Sequence, residues 1–345
     1  MPFNTFNSVA RLPNKTGGGV TANWVAVGTG SLIVSSTTGN SWTAANPVGG
    51  ISSNGYSVAY GKDASGIGLW VAVGQGSTIA TSTSGTEWTA VTSIVNGSLG
   101  GITTGRGVAY GKDASGIGLW VAVGGGSIIA TSRNGITWTD VVTQGGSLGN
   151  LTSGLGVAYG KDGAGNGLWV VVGNGAIIVT SPNGITWNVA SNVGGITVQA
   201  NAVAYGKDGA GIGLWVVVGN GSVIATSTSG TSYTAVPSNL LGGITVAYCV
   251  AYGKDGAGTG LWVAGSNSGP LMVTSTSGTS WGAAFPGNNC INVQGVAYGN
   301  GLWVAVGNGG FITTSTSGTS FSPIASNLLG GFGTGRGIAF KNEIV

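Results

Sequence analysis

Histidine is absent from all 345 residues, which removes the side chain used most often as a general base and as a metal ligand near neutral pH. Charge is scarce too: Asp, Glu, Lys and Arg make up 6% of the chain, against roughly a quarter in an average soluble protein. Five of the lysines are followed directly by aspartate (Lys62–Asp63, Lys112–Asp113, Lys161–Asp162, Lys207–Asp208 and Lys254–Asp255). The net charge of +3 is therefore not gathered into a basic stripe, which argues against nucleic acid as a partner. The two cysteines, Cys249 and Cys290, match no metal-ligand spacing and are expected as buried thiols rather than a bridge. No apolar run is long enough to span a bilayer. The N-terminal stretch "MPFNTFNSVARLPNKTGG" lacks the apolar core of a secretory signal.

What the chain has in excess is glycine, 71 residues of it, without the period of collagen. The apolar share of 42% and mean hydropathy of +0.35 point to a folded chain rather than a disordered one. With so little charge, its surface must be built from Ser, Thr, Asn and backbone groups.

Repeats dominate the rest. "GLWVAVGGGSIIATSRNGITWT" (118–139) recurs with small changes at 68–89 and 167–188. One aromatic slot falls at Trp24, Trp70, Trp120, Trp169, Trp215, Trp262 and Trp303, with spacings of 41 to 50 residues. A second slot, after a Ser/Thr pair and a turn, is filled by Trp42, Trp88, Trp138, Trp187, Tyr233, Trp281 and Phe321. All 12 tryptophans are used in these two slots.

Each unit reads as four short strands, "VAYG", "LWVAVG", "xIIATS" and "WTxV", broken by Gly- and Asn-rich turns. In "LWVAVG" the two-residue alternation puts Leu119, Val121 and Val123 on one face and Trp120, Ala122 and Gly124 on the other. Both faces are apolar, so both must be covered. Four-stranded sheets of this length, each buried between copies of itself, describe an all-β, seven-bladed β-propeller of antiparallel blades. A β-solenoid uses shorter coils, of about 20–30 residues. "VAY" or an equivalent occurs eight times for seven sheets, the last as Ile338–Phe340 in "GRGIAFKN". That C-terminal copy is expected to complete the first blade, leaving residues 1–12 as an arm or extra strand and 13–345 as one propeller domain.

"SRNGITW" (132–138) and "SPNGITW" (181–187) resemble the Asp-box, S-x-D-x-G-x-T-W, of sialidase-like and Ycf48-like propellers. The resemblance runs through all seven repeats. Every copy is one residue short, and Asn134, Asn183, Ser84, Ser229, Ser277, Ser317 or Thr38 replaces the aspartate. The resemblance implies a structural turn between the third and fourth strands, which Ser or Asn can still brace. Sialidase chemistry would need three arginines around a carboxylate, a Tyr/Glu nucleophile pair and an acid. The chain offers Arg11, Arg106, Arg133 and Arg336, and only Glu87 and Glu343 as glutamates, so no such site is expected.

The Lys–Asp loops offer one carboxylate each, too few for calcium, and read as solvated hairpin turns with their own ion pairs. The Ycf48-like resemblance implies a protein partner held by basic residues. Arg106 and Arg336 sit in matching "TGRG" contexts just before inner strands, near one mouth of the central channel; Arg11 is a third, weaker candidate. The variable "LGGI" connections between repeats could either meet a partner or simply pack. These readings favour a non-enzymatic structural or attachment protein without cofactors, working with other proteins of an assembly such as a virion or tail. A multivalent glycan-binding propeller and a Ycf48-type assembly factor are the alternatives.

Overall fold

The repeated string forms the second and third strands of a four-stranded antiparallel sheet. In the third repeat Gly118–Gly125 pairs with Thr104–Lys112 on one side and Ile129–Ser132 on the other, and Thr139–Asp140 follows at the outer edge. The computed structural model describes residues 21–46, 49–91, 101–126, 128–141, 148, 151–267, 271–285, 291–325 and 329–341. Within them lie seven such sheets. One carries a short fifth strand, Asn192–Val193, parallel to Ser232–Ala235. Consecutive inner strands touch one another around a closed ring, which makes the molecule a seven-bladed propeller.

Closure is made by the two ends of the described chain. Gly335–Phe340 pairs antiparallel with Trp24–Gly28, with Trp24 opposite Phe340 and Ala26 opposite Ile338. Phe340 packs in a tilted arrangement against Trp24, at 4.7 Å between ring centres. In the other blades a tyrosine does the same, as Tyr60 does against Trp70 at 4.9 Å. The expected inner strand of the first blade is therefore present; the arm at 1–12 lies outside the described residues.

The core lies between blades. Seven apolar clusters each join the Leu/Val face of one second strand to the Trp/Ala face of the next. Leu119, Val121 and Val123 pack against Trp169, while Trp120 and Ala122 pack against Leu69, Val71 and Val73. Burying each such Leu or Val stabilises the fold by about 1.5–3 kcal/mol. The twelve tryptophans, Tyr233 and Phe321 are all buried. Five of the seven second-strand indoles also find a partner across the interface: Trp120 donates to the Lys62 carbonyl, Trp169 to Lys112, Trp215 to Lys161, Trp262 to Lys207 and Trp303 to Lys254, at 2.8–3.1 Å.

The turns before the outer aromatics are braced as the Ser and Asn replacements allow. Ser132 Oγ accepts from Gly135 N, and Asn134 Oδ1 accepts from Ile136 N and Thr137 N. Trp138 Nε1 donates to the Gly135 carbonyl. Gly135 itself has φ of +73° and faces Leu69 of the preceding blade, so both backbone and packing require glycine there.

Candidate binding site at the channel mouth

Five positions of the inner strand are nearly the same in every blade. Val58, Val108, Val157, Val203, Val250, Val296 and Ile338 fill one; alanine follows, then Tyr or Phe, and the residues two and four places before that alanine are small in most blades or part of the same core. One position differs: Tyr56, Arg106, Leu155, Asn201, Tyr248, Gln294 and Arg336. In all seven blades the pairing register with the neighbouring strand shifts at this residue. Such a β-bulge leaves one residue unpaired and re-aims its side chain. The repeat thus presents seven unpaired residues in a ring where the inner strands begin, and lets their chemistry vary while the scaffold does not.

Three consecutive blades make a cationic arc. The guanidinium carbons of Arg336 and Arg106 lie 5.1 and 5.3 Å from the centre of the Tyr56 ring, which stands on the blade between them. Arg336 Nη1 reaches Gln294 Oε1 at 3.4 Å, and its Nε is buried without a hydrogen-bond partner. Among the described residues neither arginine pairs with a carboxylate; Arg133 does, with Asp113 at 2.6 Å on another face. The sequence placed Arg106 and Arg336 near one mouth. The structure brings them together on Tyr56, a residue the sequence reading passed over. Arg11 lies outside the described residues.

Blades five to seven make a neutral arc already engaged with the adjoining hairpin turns. Asn201 Nδ2 donates to Asn220 Oδ1 and to the Ala247 carbonyl, Asn267 Nδ2 donates to Tyr248 Oη, and Gln294 Nε2 donates to Asn308 Oδ1. Blade four puts Leu155 in the ring, and the turn residue Asn174 beside that strand keeps a buried Oδ1 without a partner. The variable position is legible when the seven inner-strand sequences are set in register; the bulge itself leaves no mark on the hydrophobic period.

The Lys–Asp loops occupy the opposite end of the inner strands. Each aspartate braces its own turn: Asp63 Oδ1 accepts from Ser65 N and Ile67 N, Asp113 from Ser115 and Ile117, Asp162 from Ala164 and Asn166, Asp208 from Ala210 and Ile212, and Asp255 from Ala257 and Thr259. The expected ion pairs within Lys62–Asp63, Lys112–Asp113, Lys161–Asp162, Lys207–Asp208 and Lys254–Asp255 do not form. The carboxylates prefer two backbone N–H groups, and the lysines contribute their carbonyls to the interblade indoles. Burial pushes the Asp113 carboxyl up, but the Arg133 hydrogen bond and the Ile117 and Ser115 amides prevail and hold it below its ordinary value. Asp162 is also held low: burial opposes, and the Asn166, Ala164 and Gly165 contacts win. Among the described residues no three His, Cys, Asp or Glu side chains cluster as a metal site would require.

The "LGGI" connections pack rather than present apolar surface. Ile102, Ile196, Leu241 and Ile244 are buried in interblade clusters. Cys249 is buried at the inner-strand position held by Gly, Ala or Ser in other blades, and its thiol points to the Val293 carbonyl at 3.8 Å; Cys290 lies outside the described residues.

No protein-family model matches the chain, and no curated protein matches it. Solved structures do. Ycf48 bound to a D1 peptide matches at 12% identity with a TM-score of 0.52, covering 91% of this chain and 90% of that one. The computationally designed Ika8 protein matches at 10% identity with a TM-score of 0.56, covering 94% and 93%. The GH74 enzyme of Niastella koreensis matches at 17% identity with a TM-score of 0.46, covering 94% of this chain and 44% of that one. At these identities, what the chain shares with Ycf48 and Ika8 is the propeller fold.

Proposed function

We propose that this chain is a non-enzymatic binding scaffold that holds a protein partner at the channel mouth, within a larger assembly. The observation that carries the reading is the Arg336–Tyr56–Arg106 arc, two cations on one ring with no carboxylate paired to either among the described residues. Positive groups left unpaired on a rigid rim favour an acidic segment of a partner and speed its encounter. Ycf48, which has the same fold, is known with a peptide bound. The S-x-N-G-x-T-W turns are, on this reading, shortened Asp-boxes kept for their structural role.

The kind of assembly we favour is a virion or tail particle, because a Ser-, Thr- and Asn-covered surface with 6% charge suits a packed particle component. Quantitative mass spectrometry of the native source tests this. Stoichiometric enrichment in purified particles over the soluble lysate is expected; recovery in the soluble fraction alone would remove the particle reading.

A further inference from the structure

On the face opposite the channel mouth, a cleft of about 530 Å³ opens between blades five and six. Its wall is a cross-strand pair of threonines, Thr226 opposite Thr234, with Ser232 beside them and Thr279 facing from the next blade. The hydroxyls of Thr226, Ser232 and Thr234 make no hydrogen bond among the described residues. Ala210 supplies an exposed methyl, and the buried Leu214 closes the floor behind it. Asp208 lines the cleft with one oxygen already committed to the Ala210 and Ile212 amides and the other unengaged.

The same cleft recurs between blades three and four, in the same register. Thr131 opposite Thr139 takes the place of the threonine pair, Leu119 that of Leu214, and Ile185 that of Thr279. There Arg133 replaces Thr228 and ties itself to Asp113, and the space falls to about 330 Å³. The repeat thus builds a hydroxyl-lined cleft, and blades five and six leave it the more open of the two.

We infer that the cleft between blades five and six binds a neutral saccharide unit. Hydroxyls that donate and accept, with a carboxylate oxygen, match the vicinal hydroxyls of a sugar ring, whose C–H face would lie on the exposed Ala210 methyl. An anionic ligand would meet the Asp208 carboxylate, and an apolar one would strip water from three hydroxyls without replacing their bonds. No aromatic ring lines the cleft, so a single site would be weak and would gain strength from repetition on a multivalent glycan.

The test is titration of the full chain with methyl glycosides of glucose, galactose, mannose and N-acetylglucosamine, followed by saturation-transfer NMR and calorimetry. Saturable binding of at least one is expected, weakened at least tenfold in Thr226→Val/Thr234→Val and unchanged in Arg106→Glu/Arg336→Glu. Thr279→Trp, an exposed change on the neighbouring blade, should block the cleft without touching its floor. Absence of binding by all four sugars, or binding indifferent to both cleft variants, would overturn the inference. Neither result bears on the mouth, which the arginine variants test separately.

Discussion

Arg336 holds its guanidinium carbon 5.1 Å from the centre of the Tyr56 ring on the next blade, and Arg106 approaches the same ring from the blade beyond. Each contact is worth about 0.5–1 kcal/mol when partly exposed, and the two like charges repel. An anion at this rim should relieve that repulsion and stabilise the folded state by linkage. Sulfate or phosphate is therefore expected to raise Tm more than chloride at equal ionic strength. Arg106→Gln/Arg336→Gln should respond to the ions less than the wild type; an equal response would show that the arc does not select anions.

Tyr233 is the outer-slot aromatic of blade five, and its hydroxyl is buried without a hydrogen-bond partner. Burial raises its phenol far above the ordinary value. In five other blades a tryptophan occupies this slot and donates to the turn glycine carbonyl at 2.8–3.1 Å. Removing an unsatisfied buried hydroxyl is neutral or favourable, and supplying the missing donor adds about 1 kcal/mol. Urea unfolding should find Tyr233→Phe at least as stable as the wild type and Tyr233→Trp more stable. A loss of more than about 1 kcal/mol in Tyr233→Phe would mean that the hydroxyl has a partner in solution.

Gly206 lets the inner strands close up, since a Cβ there would fall on the Tyr252 ring of the next blade. The same relation joins Gly111 to Tyr159 and Gly160 to Tyr205. Gly206→Ala should cost about 1–3 kcal/mol through overpacking. Adding Tyr252→Ala should make the glycine change nearly silent, a coupling that a double-mutant cycle measures. Simple additivity would contradict the contact.

The turn carboxylates set the acid limit. Asp113 and Asp162 are held below their ordinary value in the fold, so each stabilises the folded state fully above that value. The contribution is withdrawn as pH falls through the depressed one. Tm should be level from neutral pH down to about 4, the ordinary range of an aspartate, and fall below it. Asp113→Asn/Asp162→Asn should start lower and fall less steeply over the same acid range. A decline between pH 5 and 7 would need another source, since the chain has no histidine.

How far the sequence could be read follows from the same residues. The tryptophan slots and the Phe340 copy of the inner strand obey the period, and period is what sequence displays. Truncation before Gly335 should therefore abolish cooperative unfolding, whereas deletion of residues 1–12 should leave Tm nearly unchanged. The bulges at Tyr56, Arg106 and Arg336 are shifts in pairing between strands, and no single strand carries that information. Adjacent Lys and Asp looked like ion pairs, yet a short carboxylate reaches its own turn amides first. The Leu and Ile of "LGGI" fitted a surface or a core equally well in the sequence, and folding carries Ile102 and Ile244 inside.

The most direct test of the account is capture of partners from the native source by wild-type chain and by Arg106→Glu/Arg336→Glu, after cross-linking and with a charge-matched control variant at the far face, Lys207→Glu/Lys254→Glu. The account predicts a protein recovered in fixed ratio with the wild type and the control, and lost with the arginine double variant. The same protein recovered equally by all three would contradict binding at the channel mouth.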